Sequence, residues 1–311
     1  MRRSRLTVRF FTYDKTGLSV TRKVAEIDRI GSMKVLVTGG SGFLGTHVRR
    51  FFGADDFSRR SGFDVLNLND AQAVSEYDVV IHLAAYLDKS PEAAEQCFLV
   101  NVEGTVNLLR AMSPNSVFIF ASTKDVYGHF ADDYAEVPEG CRTDFHGQNA
   151  LEWSKLIAEK YVEFYANERN FRSCVFRLST VYAPLSEGNE PNFVAFYAEA
   201  IKFGVPVRLP LAGEPIRDIL SVEDFARACR AFVDSEIVHG FYNLGGGHEN
   251  ALSLRELLAK FEEIMGAQAV ISGESLPAPV PLNYVTDLTK IKNELNWQPA
   301  VSLEDGLRTL L

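Results

Sequence analysis

Two kinds of hydrophobic pattern alternate along most of the chain. Short apolar runs of strand length end in small or polar residues, and the most continuous are KVLVTG, YDVVIHLAAY, SVFIFAS and RSCVFRLS. Such runs are typical of strands in a parallel sheet that is covered on both faces. Between them, apolar positions recur at helical spacing in GTHVRRFFG, EQCFLVNVEGTVNLLRAM and SKLIAEKYVEFYANER. The alternation predicts an α/β fold, a Rossmann-type doubly wound parallel sheet.

Two weaker elements and a change in loop composition after about residue 180 complete the pattern. A short second strand is predicted in ADDFSRR and a third short element in FDVLN. After about residue 180, loops rich in Pro, Gly and Glu separate the helices, which favours a smaller lobe at one edge of the sheet. We therefore predict a Rossmann domain over residues 33–180 and a C-terminal lobe over residues 181–311 that is interleaved with the sheet.

Residues 1–32 differ from the rest of the chain in charge. They carry eight Lys or Arg against three Asp or Glu, a net +5; because the whole chain carries −9, the remainder carries −14 (−9 − 5). The segment lacks the apolar core and the small-residue cleavage site of a secretory signal. We interpret it as a non-native N-terminal extension or the result of a misplaced start, with Met33 as the expected first residue; a transit peptide is the weaker alternative.

Composition excludes several function classes. The 311 residues are 46% hydrophobic and 23% charged, and no apolar run approaches the ~18 residues that span a bilayer. A net charge of −9 argues against a bulk nucleic-acid binder, so we expect neither nucleic-acid nor membrane partners. The four cysteines and six histidines are scattered, which predicts no metal site and fits a reducing cytoplasm.

A glycine-rich segment, TGGSGFLG, follows the first predicted strand and opens the first predicted helix. Gly39, Gly42 and Gly45 have GxxGxxG spacing. In a dinucleotide fold such glycines make the tight turn, admit a pyrophosphate close to the backbone, and let helix and strand pack closely. The helix N-terminus then binds the anion through its free N–H groups. The context of strand before and helix after predicts a dinucleotide site.

The end of the second predicted strand bears on the choice between NAD and NADP. An acidic residue there suits a free ribose 2′-hydroxyl, whereas an Arg suits a 2′-phosphate. Arg59 and Arg60 favour NADP slightly, while Asp55 or Asp56 could serve NAD. Solvated surface cations are the structural alternative for the two arginines.

The order of motifs from Met33 to the C-terminus resembles the extended short-chain dehydrogenase/reductase superfamily, the NAD-dependent epimerases and dehydratases that modify nucleotide-linked sugars. The matching segments are TGGSGFLG, HLAA, NVEGTVNLL, ASTKDVYG, SKLIAEKY, RLSTVYAP, RDILSVED, YNLGGG and DLTKIKNELNWQP. The stretch GGGHENALSLREL is similar to CDP-paratose 2-epimerase-like members. The resemblance implies NAD(P) as cofactor, a nucleotide-sugar substrate in the C-terminal lobe, and a homodimer formed through two helices. The residues that it places at the cofactor are Gly39, Gly42, Phe43, Leu44, Gly45, Ser58, Arg59, Arg60, Asp64, Val65, Leu83, Ala84, Ala85, Asn101 and Lys155.

The expected catalytic tyrosine is missing. The family uses a Tyr four residues before a Lys as acid/base, and here Lys155 follows Leu151, which carries no titratable proton. The resemblance places Thr123, Asp125, Tyr127 and Lys155 at the chemistry. Three interpretations stay open: another group replaces the tyrosine, the protein binds ligands without redox turnover, or a local shift brings another Tyr to the site. The groups considered as replacements are Tyr127, Lys124, Asp125, His129 and His146.

Substrate-side residues follow from the same resemblance. They are Lys124, Thr180, Asn192 and Arg217, and Arg217 takes a position at which the family holds a diphosphate. Asn192 could instead cap a helix, and Arg217 could pair with Asp218 or Asp224. Because Lys124 and Asp125 stand where dehydratases have an Asp-Glu pair, 4,6-dehydration is disfavoured. We therefore predict an NAD(P)-dependent epimerase or reductase with an atypical active site. The alternative is a cofactor-binding member without turnover that serves a regulatory or assembly role.

Overall fold

The computed structural model describes residues 33–186 and 188–311. The predicted extension over residues 1–32 lies outside the described residues. The chain from Lys34 to Leu311 forms one compact unit, so a domain boundary at residue 180 stays a prediction.

A six-stranded parallel sheet forms the centre of the molecule. The strands of the described residues are, in chain order, β1 Val35–Thr38, β2 Asp55–Phe57, β3 Val79–His82, β4 Val117–Thr123, β5 Arg172–Leu178, β6 Thr180–Tyr182, β7 Val207–Pro210, β8 Ile216–Ser221, β9 His239–Leu244, β10 Ala251–Ser253 and β11 Ile271–Leu276. The large sheet has the order β2-β1-β3-β4-β5-β9, with every pairing parallel. Because the order reverses between β1 and β3, the carboxyl ends of these strands form a topological switch point, where such folds bind ligands.

Helices connect the strands and cover the sheet. The α-helices of this part of the chain are α1 Phe43–Phe52, α2 Leu68–Ala71, α3 Ala94–Cys97, α4 Gly104–Ala111, α5 Ala150–Arg169, α6 Phe193–Phe203, α7 Val222–Asp234, α8 Leu254–Met265, α9 Thr289–Leu295 and α10 Leu303–Arg308. A π-helical segment, Phe98–Glu103, joins α3 to α4. Within the described ranges, no helix is both long enough and apolar enough to cross a membrane.

The main core lies between the sheet and helices α4 and α5. Leu36, Val80 and Phe118 project from three neighbouring strands into one cluster with Leu108 of α4 and Val162 of α5, and all five side chains are buried. Helices α1 and α7 form another contacting pair. The apolar strand runs of the sequence are buried as predicted, which confirms the Rossmann-type sheet.

A second core forms beyond β5. It contains side chains of α6, α8 and strands β7 and β8, which belong to two small sheets of order β10-β8-β6 and β11-β7. Strand β9 instead joins the large sheet beside β5. The chain thus returns to the sheet after building this second layer. Trp297 is buried at 4% exposure and donates a hydrogen bond to the carbonyl oxygen of Asp224, which is a packing role.

Two sequence expectations need correction. The segment FDVLN is neither strand nor helix, because Asn67 caps α2 by accepting from the Asn69 N–H at 2.9 Å, and residues 63–66 form the turn before it. Helix α5 begins at Ala150, four residues before the predicted segment, because the side chains of Asn149 and Glu152 form a capping box. Leu151 therefore lies in the first turn of this helix.

Candidate active site

The glycine loop lies at the carboxyl end of β1, over residues 38–45. Gly39 has a φ of +66°, and a Cβ there would lie 2.8 Å from the Ala84 nitrogen. A Cβ on Gly45 would lie 2.1 Å from the Gly39 carbonyl oxygen. Gly42 caps α1 without a side-chain hydrogen bond. The loop therefore packs too closely for a side chain at Gly39 or Gly45, and it leaves the first turn of α1 open to an anion.

Asp56 borders this loop at the end of β2. Its Oδ2 lies 3.5 Å from Arg49 Nη1 and accepts a hydrogen bond from Ser58 Oγ at 3.1 Å. Its Oδ1 faces Gly40 and is buried, with no hydrogen-bond partner among the described residues. A buried carboxylate oxygen without a partner beside a glycine loop suits a hydroxyl of a bound ribose.

The two arginines after β2 are exposed. Arg59 begins a short 3-10 helix that Ser58 caps, and Arg60 donates to the carbonyl oxygens of Ser41 at 3.3 Å and Gly188 at 2.9 Å. Arg60 therefore ties the glycine loop to the segment that follows β6.

Other predicted cofactor residues surround the same edge of the sheet. Phe43 and Leu44 form the first turn of α1. Asp64 accepts from the Leu66 N–H at 2.9 Å, which stabilises a turn, and Val65 is buried against Gly104. The segment Leu83, Ala84 and Ala85 follows β3, and its first two amides donate to the main-chain and side-chain oxygens of Thr38.

Asn101 positions the chain that leaves β3. Its Oδ1 accepts from the Tyr86 N–H at 2.8 Å, and its Nδ2 donates to the Tyr86 carbonyl at 3.0 Å and to Ser154 Oγ at 2.8 Å. Asn101 lies in the π-helical segment, a geometry that is frequent at functional sites. The side chain thus links the segment after β3 to α5.

Leu151 packs in an apolar cluster. It is 5% exposed, and Ala93 and Cys97 are buried with it, with Tyr86 and Ala150 packed alongside. Leu151 itself offers no proton donor or acceptor in place of the expected tyrosine, and the polar groups of the cluster are the Tyr86 hydroxyl and the Cys97 thiol. Position 151 is therefore a packing position in this protein.

Lys155 lies one turn further along α5. Its Nζ donates to the carbonyl oxygen of Ala121 at 2.9 Å and lies 4.8 Å from the centroid of the Phe120 ring. Burial lowers the pKa of Lys155 to about 8. The ammonium is thus held at the carboxyl half of β4.

A cavity of about 580 Å³ opens next to the end of β4. Apolar side chains such as Tyr197, Leu252 and Leu257 line much of it. Its charged lining residues are Lys89, Lys124, Asp125, Glu152 and Arg217, and further polar groups come from Thr123, Gln148 and Thr180. The volume and the mixed lining suit a small organic ligand with a few polar groups.

The charged groups form a continuous chain along the wall of this cavity. Lys124 Nζ donates to Asp125 Oδ1. Lys89 Nζ lies 2.7 Å from Asp125 Oδ2 and 2.9 Å from Glu152 Oε1. Lys124 also lies over the Tyr284 ring, 5.1 Å from its centroid. Cation and anion therefore alternate from Lys124 to Glu152.

Burial and neighbouring charges shift the pKa values of these groups in opposite directions. Burial lowers the pKa of Lys124; Asp125 opposes this, and Arg217 and Lys89 lower it further. Burial would raise the pKa of Asp125, but the two lysines outweigh burial and lower it. Burial would lower the pKa of Lys89, but Asp125 and Glu152 raise it. Of the two lysines in this chain, Lys124 is thus the one that loses its proton more readily.

The other groups considered as tyrosine replacements lie outside this cavity. Tyr127 is fully buried and donates to Asn243 Oδ1 at 2.6 Å, and burial raises the pKa of its hydroxyl to about 12. His129 Nδ1 lies 3.2 Å from Asp132, and its ring packs against His146. Only Lys124 and Asp125 of the five replacement candidates line the cavity.

Some of the predicted substrate-binding residues line the cavity and one does not. Thr180 and Arg217 line the cavity. Asn192 instead caps α6 by accepting from the Val194 and Ala195 N–H groups, and its amide donates to the Ala183 carbonyl. The contacts of Asn192 are thus those of a helix cap, the alternative that the sequence offered for this residue.

Arg217 makes no ion pair with either predicted acidic partner in the described structure. Its Nη atoms donate to the main-chain carbonyls of Ile216, Pro281 and Leu282 at 2.6–2.8 Å. Asp218 instead accepts from the Gly247 and Thr286 amides. The Arg217 charge is therefore available to an anionic ligand in the cavity.

Sequence reasoning missed Lys89 and Glu152. The capping-box pattern of Asn149 and Glu152 was readable in the sequence and would have put Glu152 in the first turn of α5. No local pattern distinguishes Lys89, because its partners lie 36 and 63 residues away. No group of three or more His, Cys, Asp or Glu side chains that could hold a metal occurs in residues 33–186 and 188–311.

Known proteins are similar to this chain over most of its length. Residues 35–245 match the model of the NAD dependent epimerase/dehydratase family. CDP-paratose 2-epimerase from Salmonella typhi is 28% identical, over 89% of this chain and 98% of that enzyme. The dTDP-4-dehydro-6-deoxyglucose reductase of Escherichia coli is 25% identical, over 89% of this chain and 96% of that enzyme.

Solved structures of nucleotide-sugar epimerases are also similar to this chain. UDP-glucose 4-epimerase from Thermotoga maritima, solved with UDP-glucose, is 26% identical, with a TM-score of 0.76 over 89% of this chain and 97% of that one. UDP-glucose 4-epimerase from Thermus thermophilus, solved with NAD, is 27% identical, with a TM-score of 0.70 over the same shares. The family match spans more than half of the chain and includes the glycine loop, Thr123 and Lys155. The chain therefore belongs to the NAD-dependent epimerase/dehydratase family.

Proposed function

We propose that this protein is an NAD(P)-dependent epimerase or reductase that acts on a nucleotide-linked sugar by hydride transfer. The observation that carries the proposal is the Lys124–Asp125 pair, which lies directly after Thr123 at the carboxyl end of β4 and lines the cavity. The relatives named above act on nucleotide-linked sugars, which supports this substrate class.

The edge of the sheet fits a dinucleotide. A side chain at Gly39 or Gly45 would collide with the main chain of the loop, and the open N-terminus of α1 suits a pyrophosphate. The unpartnered Oδ1 of Asp56 suits a ribose hydroxyl. When bound, the nicotinamide supplies the hydride acceptor or donor. Lys155, which sits beside the end of β4, would contact it from α5.

Lys124 takes the role of acid/base in this proposal. A carbinol carbon gives up hydride only as its hydroxyl proton is removed, so the chain must supply a base. The lowered pKa of Lys124 makes its neutral amine accessible, and that amine accepts the proton. In the reductive direction, the ammonium returns the proton to the carbonyl oxygen. Thr123 Oγ accepts from the Asp125 N–H at 3.2 Å, which leaves its own hydroxyl hydrogen for the substrate oxygen.

The remaining charge of the cavity suits a phosphate-bearing substrate. Arg217 lacks an acidic partner in the described structure and presents a guanidinium to the cavity. Arg–phosphate contacts are strong because the guanidinium donates two parallel hydrogen bonds. Thr180 adds a hydroxyl on the neighbouring strand.

We extend the proposal to three finer points. For the cofactor, the exposed cations Arg59 and Arg60 directly after β2 favour NADP, whereas the unpartnered Oδ1 of Asp56 would serve NAD. The protein is cytoplasmic, since its four cysteines are buried and free. It forms a homodimer through α5 and the π-helical segment, where Phe98, Tyr161 and Phe164 are exposed.

Turnover with purified protein tests the proposal. NAD(H) or NADP(H) is offered with CDP-, UDP- and dTDP-linked sugars; reduced nicotinamide is followed by absorbance and the sugar products by NMR. Lys124→Met should reduce turnover by ~10²–10⁴-fold, the usual contribution of a general acid or base. Lys202→Met, which changes an exposed lysine of α6, is the matched control. Full turnover in Lys124→Met would refute the assigned role.

The buried, apolar setting of Leu151 favours one second candidate, a cofactor-binding member without turnover. That candidate predicts that calorimetry detects dinucleotide binding, while no nucleotide-linked sugar is converted in the presence of either cofactor. Conversion of any of these sugars excludes it.

A further inference from the structure

We infer that Lys89 is a positioning residue of this site. It pairs with the second carboxylate oxygen of Asp125 and so weakens the stabilisation that this carboxylate gives to the protonated amine of Lys124. The consequence for catalysis rests on the function proposed above. The contacts themselves do not, because they involve this chain's own side chains.

Asp125 divides its charge between two lysines. Its Oδ1 accepts from Lys124, and its Oδ2 lies 2.7 Å from Lys89 Nζ. The side chains of Lys124 and Asp125 are 8% and 18% exposed, whereas that of Lys89 is 50% exposed. Lys89 thus reaches a largely buried carboxylate from the solvent side of the cavity.

Glu152 holds Lys89 in this position. Its Oε1 lies 2.9 Å from Lys89 Nζ, and its Oε2 accepts from the Asn149 N–H at 2.8 Å. The Glu152 side chain is 4% exposed, and its hydrogen bond in the N-terminal cap of α5 fixes its orientation. Lys89 therefore links the segment after β3 to the end of β4 and to the start of α5.

The charged groups around Lys124 come from four parts of the chain. Asp125 is its neighbour, Lys89 follows β3, Arg217 lies on β8, and the Tyr284 ring faces it from the segment after β11. One anion is thus set against two further cations, and both cations favour the neutral amine of Lys124. Lys89 itself stays charged, because Asp125 and Glu152 raise its pKa.

Loss of Lys89 should therefore strengthen the ion pair between Asp125 and the protonated amine of Lys124. In Lys89→Met, Asp125 pairs with Lys124 alone. The positive charge of Lys89, which disfavours the protonated amine of Lys124, is also removed. Both changes act in the same direction, toward a Lys124 that keeps its proton to higher pH. The limb of the pH–rate profile that Lys124 controls should move to higher pH with it.

The test compares Lys89→Met, Lys89→Arg and the control Lys160→Met, which removes a 74% exposed lysine of α5. The protein is labelled with ¹³C-lysine and titrated by NMR without substrate or cofactor, and the Lys124 signal is assigned by its loss in Lys124→Arg. We expect the Lys124 midpoint to move up in Lys89→Met, by on the order of one pH unit for a lost neighbouring charge. Lys89→Arg and Lys160→Met should leave it near the wild-type position.

A second readout separates this inference from the proposed function. The kcat/KM profile of Lys89→Met should shift by the same amount as the NMR midpoint, and Lys89→Arg should restore it. An unchanged NMR midpoint in folded Lys89→Met, as judged by circular dichroism, overturns the inference about Lys89. A shifted midpoint with an unshifted rate profile, or a wild type without turnover, instead overturns the proton-transfer role of Lys124 and leaves the positioning role intact.

Discussion

Lys155 Nζ donates a hydrogen bond to the main-chain carbonyl oxygen of Ala121, at a distance of 2.9 Å. The motif lysine thus anchors α5 to β4 in addition to any contact with a ligand. Its side chain is buried, and burial lowers its pKa from 10.5 to about 8. A buried ammonium with one neutral acceptor carries a desolvation cost that a neutral amine avoids.

This relationship predicts how stability depends on pH. Between pH 8 and 10.5 the unfolded chain holds a proton on Lys155 that the folded chain has released, so stability from this group rises with pH in that window. Below about pH 8 both states are protonated, and the folded state carries the full cost. Thermal melts of wild type and Lys155→Met across this window should show the wild type gaining relative to the variant as pH rises. A constant difference would contradict the lowered pKa.

The glycine loop yields a second prediction. In Gly45→Ala, the new methyl group would lie 2.1 Å from the Gly39 carbonyl oxygen, so helix and loop must move apart. We expect a loss of stability of ~1–3 kcal/mol, as for other overpacked sites, and at least a roughly tenfold loss of dinucleotide affinity by calorimetry. Gly140→Ala, where a Cβ meets open space, is the control. Unchanged affinity in Gly45→Ala would count against the loop as a phosphate cradle.

Restoring the family tyrosine should not increase activity. Position 151 is 5% exposed among Ala93 and Cys97, so Leu151→Tyr introduces a larger ring and an unpaired hydroxyl into an apolar cluster. We expect a lower melting temperature and no gain in turnover. Leu151→Phe has the same ring without the hydroxyl. Higher turnover in the Tyr variant than in the Phe variant would show that the phenol reaches the substrate.

Arg59 and Arg60 allow a direct test of cofactor preference. If they bind a 2′-phosphate, the Arg59→Ala, Arg60→Ala double variant loses charge-assisted hydrogen bonds of ~1.5–3 kcal/mol, about 10- to 100-fold in NADP affinity. NAD affinity should change little. Because Arg60 also bonds Ser41 and Gly188, the single variant Arg59→Ala separates phosphate recognition from loop anchoring. Unchanged NADP binding in the double variant would refute the preference.

The aromatic surface of α5 predicts the oligomeric state. Tyr161 and Phe164 are 41% and 54% exposed, and Phe98 of the adjacent π-helical segment is 46% exposed. Phe164→Glu should convert a dimer to a monomer in light scattering, because a carboxylate is costly to bury in an apolar contact. Phe203→Glu, at a 69% exposed aromatic of α6, is the matched control. A wild type that elutes as a monomer would contradict the homodimer.

Local pattern was sufficient for most of the fold. Strands β1, β3, β4 and β5 coincide with apolar runs, because a strand buried on both faces needs a near-continuous series of apolar side chains. The glycine loop was equally readable, since the spacing of Gly39, Gly42 and Gly45 follows from main-chain geometry within one turn. The missing tyrosine could also be seen from the sequence, because the motif spacing fixes position 151.

Only the tertiary structure decided which groups meet in the cavity. Lys89, Asp125 and Glu152 come from three separate segments, and contacts between them depend on how β3, β4 and α5 are placed. Tyr127 is close to Asp125 in sequence, yet it points into the core and bonds Asn243, because the short helix after β4 turns its side chain away from the cavity. Sequence by itself determined the sheet, the loop and the loss of the tyrosine. Long-range packing determined the charge chain from Lys124 to Glu152, since burial and pairing of charges are properties of the assembled fold.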